Sequence, residues 1–327
     1  MSFNLSDLFN GQYNKQNQNQ DYLAVDLRTP VLNDYELFAK INELKQKRNT
    51  SGFALSTGMI ITAALLFFFF PMLLPFMIIS VVFTMLRNSS KNKEIKELIT
   101  NNIVRGALSE VMELSYLSYN AHIPAVQIDV SGITAKWDKC SGSDMVQGRY
   151  KGVNISFSDI LLTKRKRSGR RTYDETVFKG QWLTIELAKQ VDGELKLIER
   201  GAGDKFKRSK SDIETENVAF NQKFQILTNN PHSAFYVLTP HFMDYINSMD
   251  MKARAKTSMW FNKSFGKSCV HVALNNNSDL FEFNARQINS PYSFAPIRDN
   301  IKREVRYITG VIDELLLNDY LFNANIK

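Results

Sequence analysis

An α+β architecture is the fold class this sequence predicts: an N-terminal transmembrane helical hairpin with flanking amphipathic helices, then a mainly antiparallel β-rich cytosolic domain closed by a C-terminal helix. Three observations predict it. No charged residue occurs from Phe53 to Leu86. From Val126 to about Asn289, short runs of β-branched and aromatic residues alternate with Gly, Asn, Asp and Ser clusters, the texture of strands and turns. Near the C-terminus, Val305, Ile308, Ile312 and Leu315 recur at helical spacing.

The elements follow in chain order. Residues 1–30 read as a disordered tail, because the amide-rich stretch NGQYNKQNQNQ offers nothing apolar to offset the entropy of ordering it. With Asp7, Asp21, Asp26 and Arg28 in this region, no signal peptide is expected. Residues 31–51 space Leu37, Phe38, Ile41 and Leu44 as an amphipathic helix. The apolar run over 52–88 follows. As one helix it would reach roughly 50 Å against about 30 Å of hydrocarbon, and Pro71 and Pro75 break it near the middle. Lys40, Lys45, Lys47 and Arg48 precede the run, and Arg87, Lys91, Lys93 and Lys96 follow it. Cationic flanks stay in the cytoplasm, so a hairpin is expected, with both termini cytoplasmic and the bacterial inner membrane as its place. Residues 89–120 then read as a stalk helix with Ile95, Ile99, Ile103, Ala107 and Val111 on one face.

The β-rich domain is expected over 121–295. Its predicted strands are VQIDV, GVNISFSDILL, TVFKGQWLTIEL, ELKLIE, KFQIL, TSMWF, SCVHVAL and LFEF, with helices at HSAFYVL and PHFMDYINSM. A closing helix is expected over 296–327, with a basic opening at Arg298, Lys302, Arg303 and Arg306.

The chemistry-bearing patterns are few. No phosphate loop, dinucleotide fingerprint, paired-His zinc helix or nucleophile elbow is present, so no catalytic, cofactor or metal residue is assigned. Cys269 and His271 stand two apart, on one face of a strand, which could pair a thiolate with a base; structural burial of the cysteine is the commoner outcome. Two well-separated cysteines in a 327-residue chain favour a reducing compartment. The 41 Lys and Arg against 33 Asp and Glu, a net charge of +8, favour an anionic neighbour. The sharpest candidate is the run Lys164, Arg165, Lys166, Arg167, Arg170 and Arg171. It lies between two predicted strands, with Ser168-Gly169 marking a hairpin tip. Lys205, Lys207, Arg208 and Lys210 form a second basic loop with Phe206 as its one aromatic. Both are candidate contacts for anionic lipid headgroups; nucleic acid is the weaker partner because an aromatic platform is otherwise lacking.

The strands GRYKGVNISFSDILL and TVFKGQWLTIEL and the stretch FNQKFQILTNNPHSAFYVLTPHFMDYI resemble a bacterial family of membrane-anchored proteins known only as a domain of unknown function. The resemblance covers roughly Ser115 to Phe283. It implies a fold and no activity, and Phe178, Gly180 and Pro240 are read as fold positions. Asn229-Asn230 departs from the family pattern, which has an acidic residue there.

The function expected is that of a membrane-anchored, cytosolic-facing interaction or scaffold protein, binding a partner protein or anionic lipid. The alternatives are a membrane-tethered enzyme and an exported effector residing in a target-cell membrane.

Overall fold

The computed structural model describes residues 24–47, 93–169, 171–200, 212–264 and 267–322. In chain order these form helices α1 (34–47) and α2 (93–109), strand β1 (Glu113–Ser118), α3 (Ala125–Ser131), β2 (Lys139–Tyr150), β3 (Val153–Ser168), β4 (Arg171–Glu186), β5 (Leu195–Glu199) and β6 (Asp212–Ile213). There follow α4 (Val218–Lys223), β7 (Phe224–Thr228), α5 (Pro231–Val237), α6 (Pro240–Ala253), β8 (Lys256–Ser264), β9 (Lys267–Asn275), α7 (Phe294–Leu316) and α8 (Asp319–Phe322).

The chain divides into two units. One holds Ala107–Glu282 and Ile301–Lys327 together with Met1–Leu27; the other holds Arg28–Gly106 and Phe283–Asn300. In the first, all nine described strands make one sheet in the order β1-β2-β3-β4-β9-β8-β5-β7-β6, antiparallel throughout. Local chemistry sets its turns and caps. Lys151 and Gly152, at φ 48° and 82°, close the β2–β3 hairpin in the doubly left-handed turn that matches strand twist. Asn230 and Thr239 cap α5 and α6 by accepting the Ser233 and Phe242 N–H groups, and Pro231 and Pro240 open those helices where no N–H is needed. At Gly180, φ is 152° and an added Cβ would lie 2.0 Å from the Leu274 carbonyl oxygen, so only glycine admits β9 this closely.

Alternation along the strands builds two faces. On one, Trp182, Trp260, Ala273, Ile160, Leu162 and Phe178 form a core with Ile128 of α3 and with Ala121, Ile123 and Ile133. On the other, Phe261 meets Phe242 of α6 edge to face, ring centres 6.0 Å apart. Helix α7 buries Ile301, Val305, Ile308, Ile312 and Leu315, and its Glu314 pairs with Lys252 of α6.

The second unit contains α1 and most of α2, whose stripes Leu37 and Ile41, and Ile95, Ile99 and Ile103, are buried. Asn102 and Arg105 of α2 bind the segment ahead of α1: the Asn102 side chain accepts from Leu32 N–H at 2.7 Å, and Arg105 donates to the Thr29 carbonyl at 2.7 Å. Lys45 reaches the Ile288 carbonyl at 2.6 Å and Asp34 accepts from Arg298 at 2.6 Å, tying α1 to residues 283–300.

Several expectations are corrected. No helix among the described residues is long and apolar enough to cross a membrane. The longest, α7, has 23 residues but carries Arg298, Asp299, Lys302, Arg303, Glu304, Arg306, Asp313 and Glu314, each of which costs roughly 2.5–3.5 kcal/mol at a bilayer centre. Residues 52–88, where the sequence predicts the transmembrane hairpin, lie outside the described residues. Among the described residues the architecture is therefore a large antiparallel sheet with helices, α+β, with no helix able to cross a membrane, and the integral-membrane and inner-membrane expectations have no described helix to rest on.

The predicted strand VQIDV is helix α3: Pro124 opens it, Gly132 at φ 59° stops it, and Ile128 is buried while Val126 and Val130 face out. LFEF is a loop, because the Leu280 and Phe281 N–H groups bind the Asp159 and Glu304 carboxylates instead of a neighbouring strand. Strand β1 stands where the sequence predicts the end of a stalk helix, and β2 lies within the expected β-rich region at a stretch where no strand is predicted.

Candidate functional site

The β3–β4 hairpin runs past the rest of the sheet. Strand β2 accompanies β3 only to Thr163, opposite Lys139, and β9 accompanies β4 only over Gln181–Glu186. From Lys164 to Ser168 and back from Arg171 to Glu175, the two strands pair with each other alone, apart from Asp138, whose carboxylate accepts from Arg165 N–H at 2.7 Å. Five residues at about 3.3 Å each make an arm roughly 15 Å long. Its residues are exposed or half-exposed on both sides, so nothing in the arm adds to the core.

The hairpin tip predicted at Ser168-Gly169 is where the chain turns, with Ser168 opposite Arg171 and Gly169 at φ 59°. Lys164, Arg165, Lys166, Arg167 and Arg171 are therefore gathered on one arm. Arg170 lies outside the described residues, as do Lys205, Lys207, Arg208 and Lys210 of the second basic loop.

Register also brings in residues the sequence reading missed. Asp174 accepts from Lys139 at 2.5 Å and lies 3.5 Å from Arg165; the Lys139 bond holds its carboxyl below the ordinary range. Glu175 pairs with Lys166 at 2.6 Å. Among the described residues no ion pair involves Lys164, Arg167 or Arg171. Tyr173, 49% exposed, stands directly across from Lys166. Counting back from the tip would have found these partners, because a two-residue loop after Ser168 sets Lys166 against Tyr173 and Arg165 against Asp174.

Away from the arm, polar groups are turned inward. His271 is 2% exposed, stacks on Trp260 with ring centres 4.8 Å apart, and accepts at Nδ1 from Gln127 of α3 at 3.2 Å. Burial lowers its pKa to about 4, so it is neutral at neutral pH. Burial likewise pushes the Cys269 thiol up to about 11. The pair shares a strand face as predicted, yet it presents a protonated thiol beside a neutral imidazole, which supplies no thiolate nucleophile. Two open concavities of ≈ 460 and ≈ 670 Å³ adjoin this region and share Arg149, Asn154 and Glu186. Burial raises the Glu186 carboxyl, but hydrogen bonds from Lys267 and Asn154 outweigh it and hold the group below its usual range.

A buried polar chain crosses the sheet toward α7. Asp159 on β3 accepts from Gln181 Nε2 at 3.0 Å and from Leu280 N–H at 2.6 Å. Gln181 Oε1 accepts from Asn276, which also donates to the Tyr307 hydroxyl at 3.0 Å, and Tyr307 donates to the Ala253 carbonyl at 2.9 Å. Burial pushes Asp159 up to about 8, with Asp144 and Asp279 adding to the shift. These groups bind one another and anchor the loop after β9.

Residues 176–317 match the family model described as a protein of unknown function, DUF3137. The resemblance to a domain of unknown function, read from the sequence over roughly Ser115 to Phe283, is thus shown where the two spans overlap, residues 176–283, and the match carries no bacterial origin or membrane anchor with it. The arm's basic strand lies ahead of the matched residues. No curated protein matches the chain. Among solved structures, the chain is similar to the crystal structure of the mycobacterial trehalose monomycolate transport factor A, TtfA. The identity is 13%, over 65% of this chain and 94% of that one, with a TM-score of 0.31. A score that low carries no argument about fold or function. Among the described residues, no group of three His, Cys, Asp or Glu side chains could hold a metal ion.

Proposed function

We propose that this protein is an interaction module that docks on an anionic surface, lipid headgroups foremost, through its β3–β4 arm. The observation that carries the reading is the arm itself. Ordering a residue's backbone costs roughly 1–2 kcal/mol, and a lone two-stranded hairpin is marginal in water. An ordered arm that buries nothing is best explained by what it touches. From Lys164 to Glu175 it bears six cations against two carboxylates. Exposed ion pairs such as Lys166–Glu175 are worth little, so an anionic surface can displace them at small cost. The inward-turned His271 and Asp159 fit the same reading, since each is committed to the core or to its neighbours, and the half-buried Cys269 is held as a thiol.

The test compares the full chain with a variant in which Lys164, Arg165, Lys166, Arg167, Arg170 and Arg171 are all Gln. Partition onto phosphatidylcholine vesicles is measured with and without phosphatidylglycerol, at rising salt. The reading expects a binding component that needs anionic lipid, fades as salt screens it over about 8–10 Å, and vanishes in the variant. Equal partition by both proteins, or indifference to lipid charge, would remove it.

A further inference from the structure

The arm's two faces differ. Side chains directly across an antiparallel pair share a face, and residues two apart along a strand do as well. The observed register therefore places Lys164, Lys166 and Ser168 of β3 with Arg171, Tyr173 and Glu175 of β4, and on the opposite side Arg165 and Arg167 with Thr172 and Asp174. On that opposite side Asp174 already engages both Lys139 and Arg165. Arg167 is the one cation there for which the described residues show no ion pair, and no aromatic ring accompanies it. The first face carries three cations against one carboxylate. Lys166 is held by Glu175, while Lys164 and Arg171 pair with neither carboxylate of the arm. In their midst stands Tyr173, with half of its surface exposed on an element that has no core to receive it.

We propose that the arm docks through the first face alone, seating Tyr173 at the headgroup level of an anionic bilayer between Lys164, Lys166 and Arg171. This rests on the reading of the arm as an anionic-surface contact and assigns it a side and an anchor. A tyrosine has an apolar ring and a polar tip, the combination that settles where hydrocarbon gives way to headgroups. Cations on either side of it meet the phosphates at the same depth. The occupant follows from charge complementarity: the face carries three cations against one carboxylate, whereas on the opposite face Asp174 is shared by Lys139 and Arg165 and leaves Arg167 as that face's one arm cation with no ion pair among the described residues.

The experiment uses the full chain in four variants. Tyr173→Trp and Thr172→Trp place a reporter on each face, read as the change in emission on adding phosphatidylglycerol vesicles and as quenching by brominated lipid, relative to the unaltered protein. The double variants K164Q/R171Q and R165Q/R167Q remove charge from one face at a time. All six positions are exposed or half-exposed, and unchanged thermal melts verify the fold. The proposal expects a blue shift and quenching for Tyr173→Trp and none for Thr172→Trp. It also expects a loss of roughly tenfold or more in anionic partition for K164Q/R171Q, with little change for R165Q/R167Q. If both reporters respond and both double variants lose equally, sidedness is overturned while anionic contact stands. If no variant and no change of lipid charge alters binding, the underlying reading falls too. If Tyr173→Trp responds to a single-stranded oligonucleotide and not to vesicles, the lipid occupant is replaced by nucleic acid stacking on the ring.

Discussion

Raising the pH through neutrality should weaken this fold, and Asp159 is the reason. Its carboxyl ordinarily titrates at 3.8 and is pushed up to about 8 where it lies between β3 and the loop after β9. Between those values the folded protein holds a proton that the unfolded chain has released, so stability falls as pH rises, by about 1.36 kcal/mol per unit where the difference is complete. His271 acts in the opposite sense, but only below its ordinary 6.5, where the unfolded chain gains a proton that the buried ring accepts only near 4. The buried thiols begin to contribute only near their ordinary 9.0. The window from about pH 6.5 to about 8 therefore belongs to Asp159. Allowing for half-titration at its upper end, the loss across that window is roughly 1.5–2 kcal/mol.

The perturbation is Asp159→Asn, which cannot titrate. An amide accepts through only one of its two heavy atoms, so either Gln181 or Leu280 loses its acceptor, a pH-independent cost of about 1–3 kcal/mol. Equilibrium urea unfolding, followed by tryptophan emission at constant ionic strength, should show stability declining with pH in the native protein and a flat line, set lower, in the variant. A native protein whose stability is level or rising across this window would refute the reasoning, as would a variant with an undiminished slope.

Three further outcomes follow from the same structure. Gly180→Ala forces a Cβ against the Leu274 carbonyl at a backbone angle side chains rarely adopt, so urea unfolding should show a loss of about 2–3 kcal/mol, and a neutral result would contradict the close β4–β9 approach. Below pH 6.5 the opposing linkages of His271 and Asp159 should offset each other, so the stability profile should level off toward about pH 4, and His271→Gln should remove the offset and leave stability still rising as the pH falls. Cys140 and Cys269, both held as thiols by burial, should react slowly with iodoacetamide at neutral pH and far faster once urea unfolds the chain; equal rates would show that burial does not control them.

The run from Lys164 to Arg171 and the Ser168-Gly169 turn were visible because charge clusters and turn residues are local signals. Tyr173 and Asp174 were not singled out, although both lie within a few residues of that run. Their significance depends on which residue faces which across the strands, and a one-residue shift in register would move every side chain to the other face. Strand β2 escaped notice because KCSGSDMVQGRY is largely polar; it is a strand only because β1 and β3 flank it. VQIDV reads the other way for the converse reason: a period of two in so short a run fits a strand, whereas Pro124 and Gly132 bound a helix and the docking of Ile128 against Trp182 and Trp260 holds it.

By itself the sequence determined what is carried by composition and short spacing: an α+β chain, a net charge of +8, the helices opened by Pro231 and Pro240, the closing helix with its apolar stripe, and the basic hairpin tip. Tertiary structure alone decided the strand order, the protonation of Asp159 and His271, and the two unlike faces of the arm. The division has one physical source. Propensity and charge belong to residues close in sequence, whereas burial and pairing belong to residues such as Asp159 and Leu280, or Gln127 and His271, that meet only when distant segments fold together.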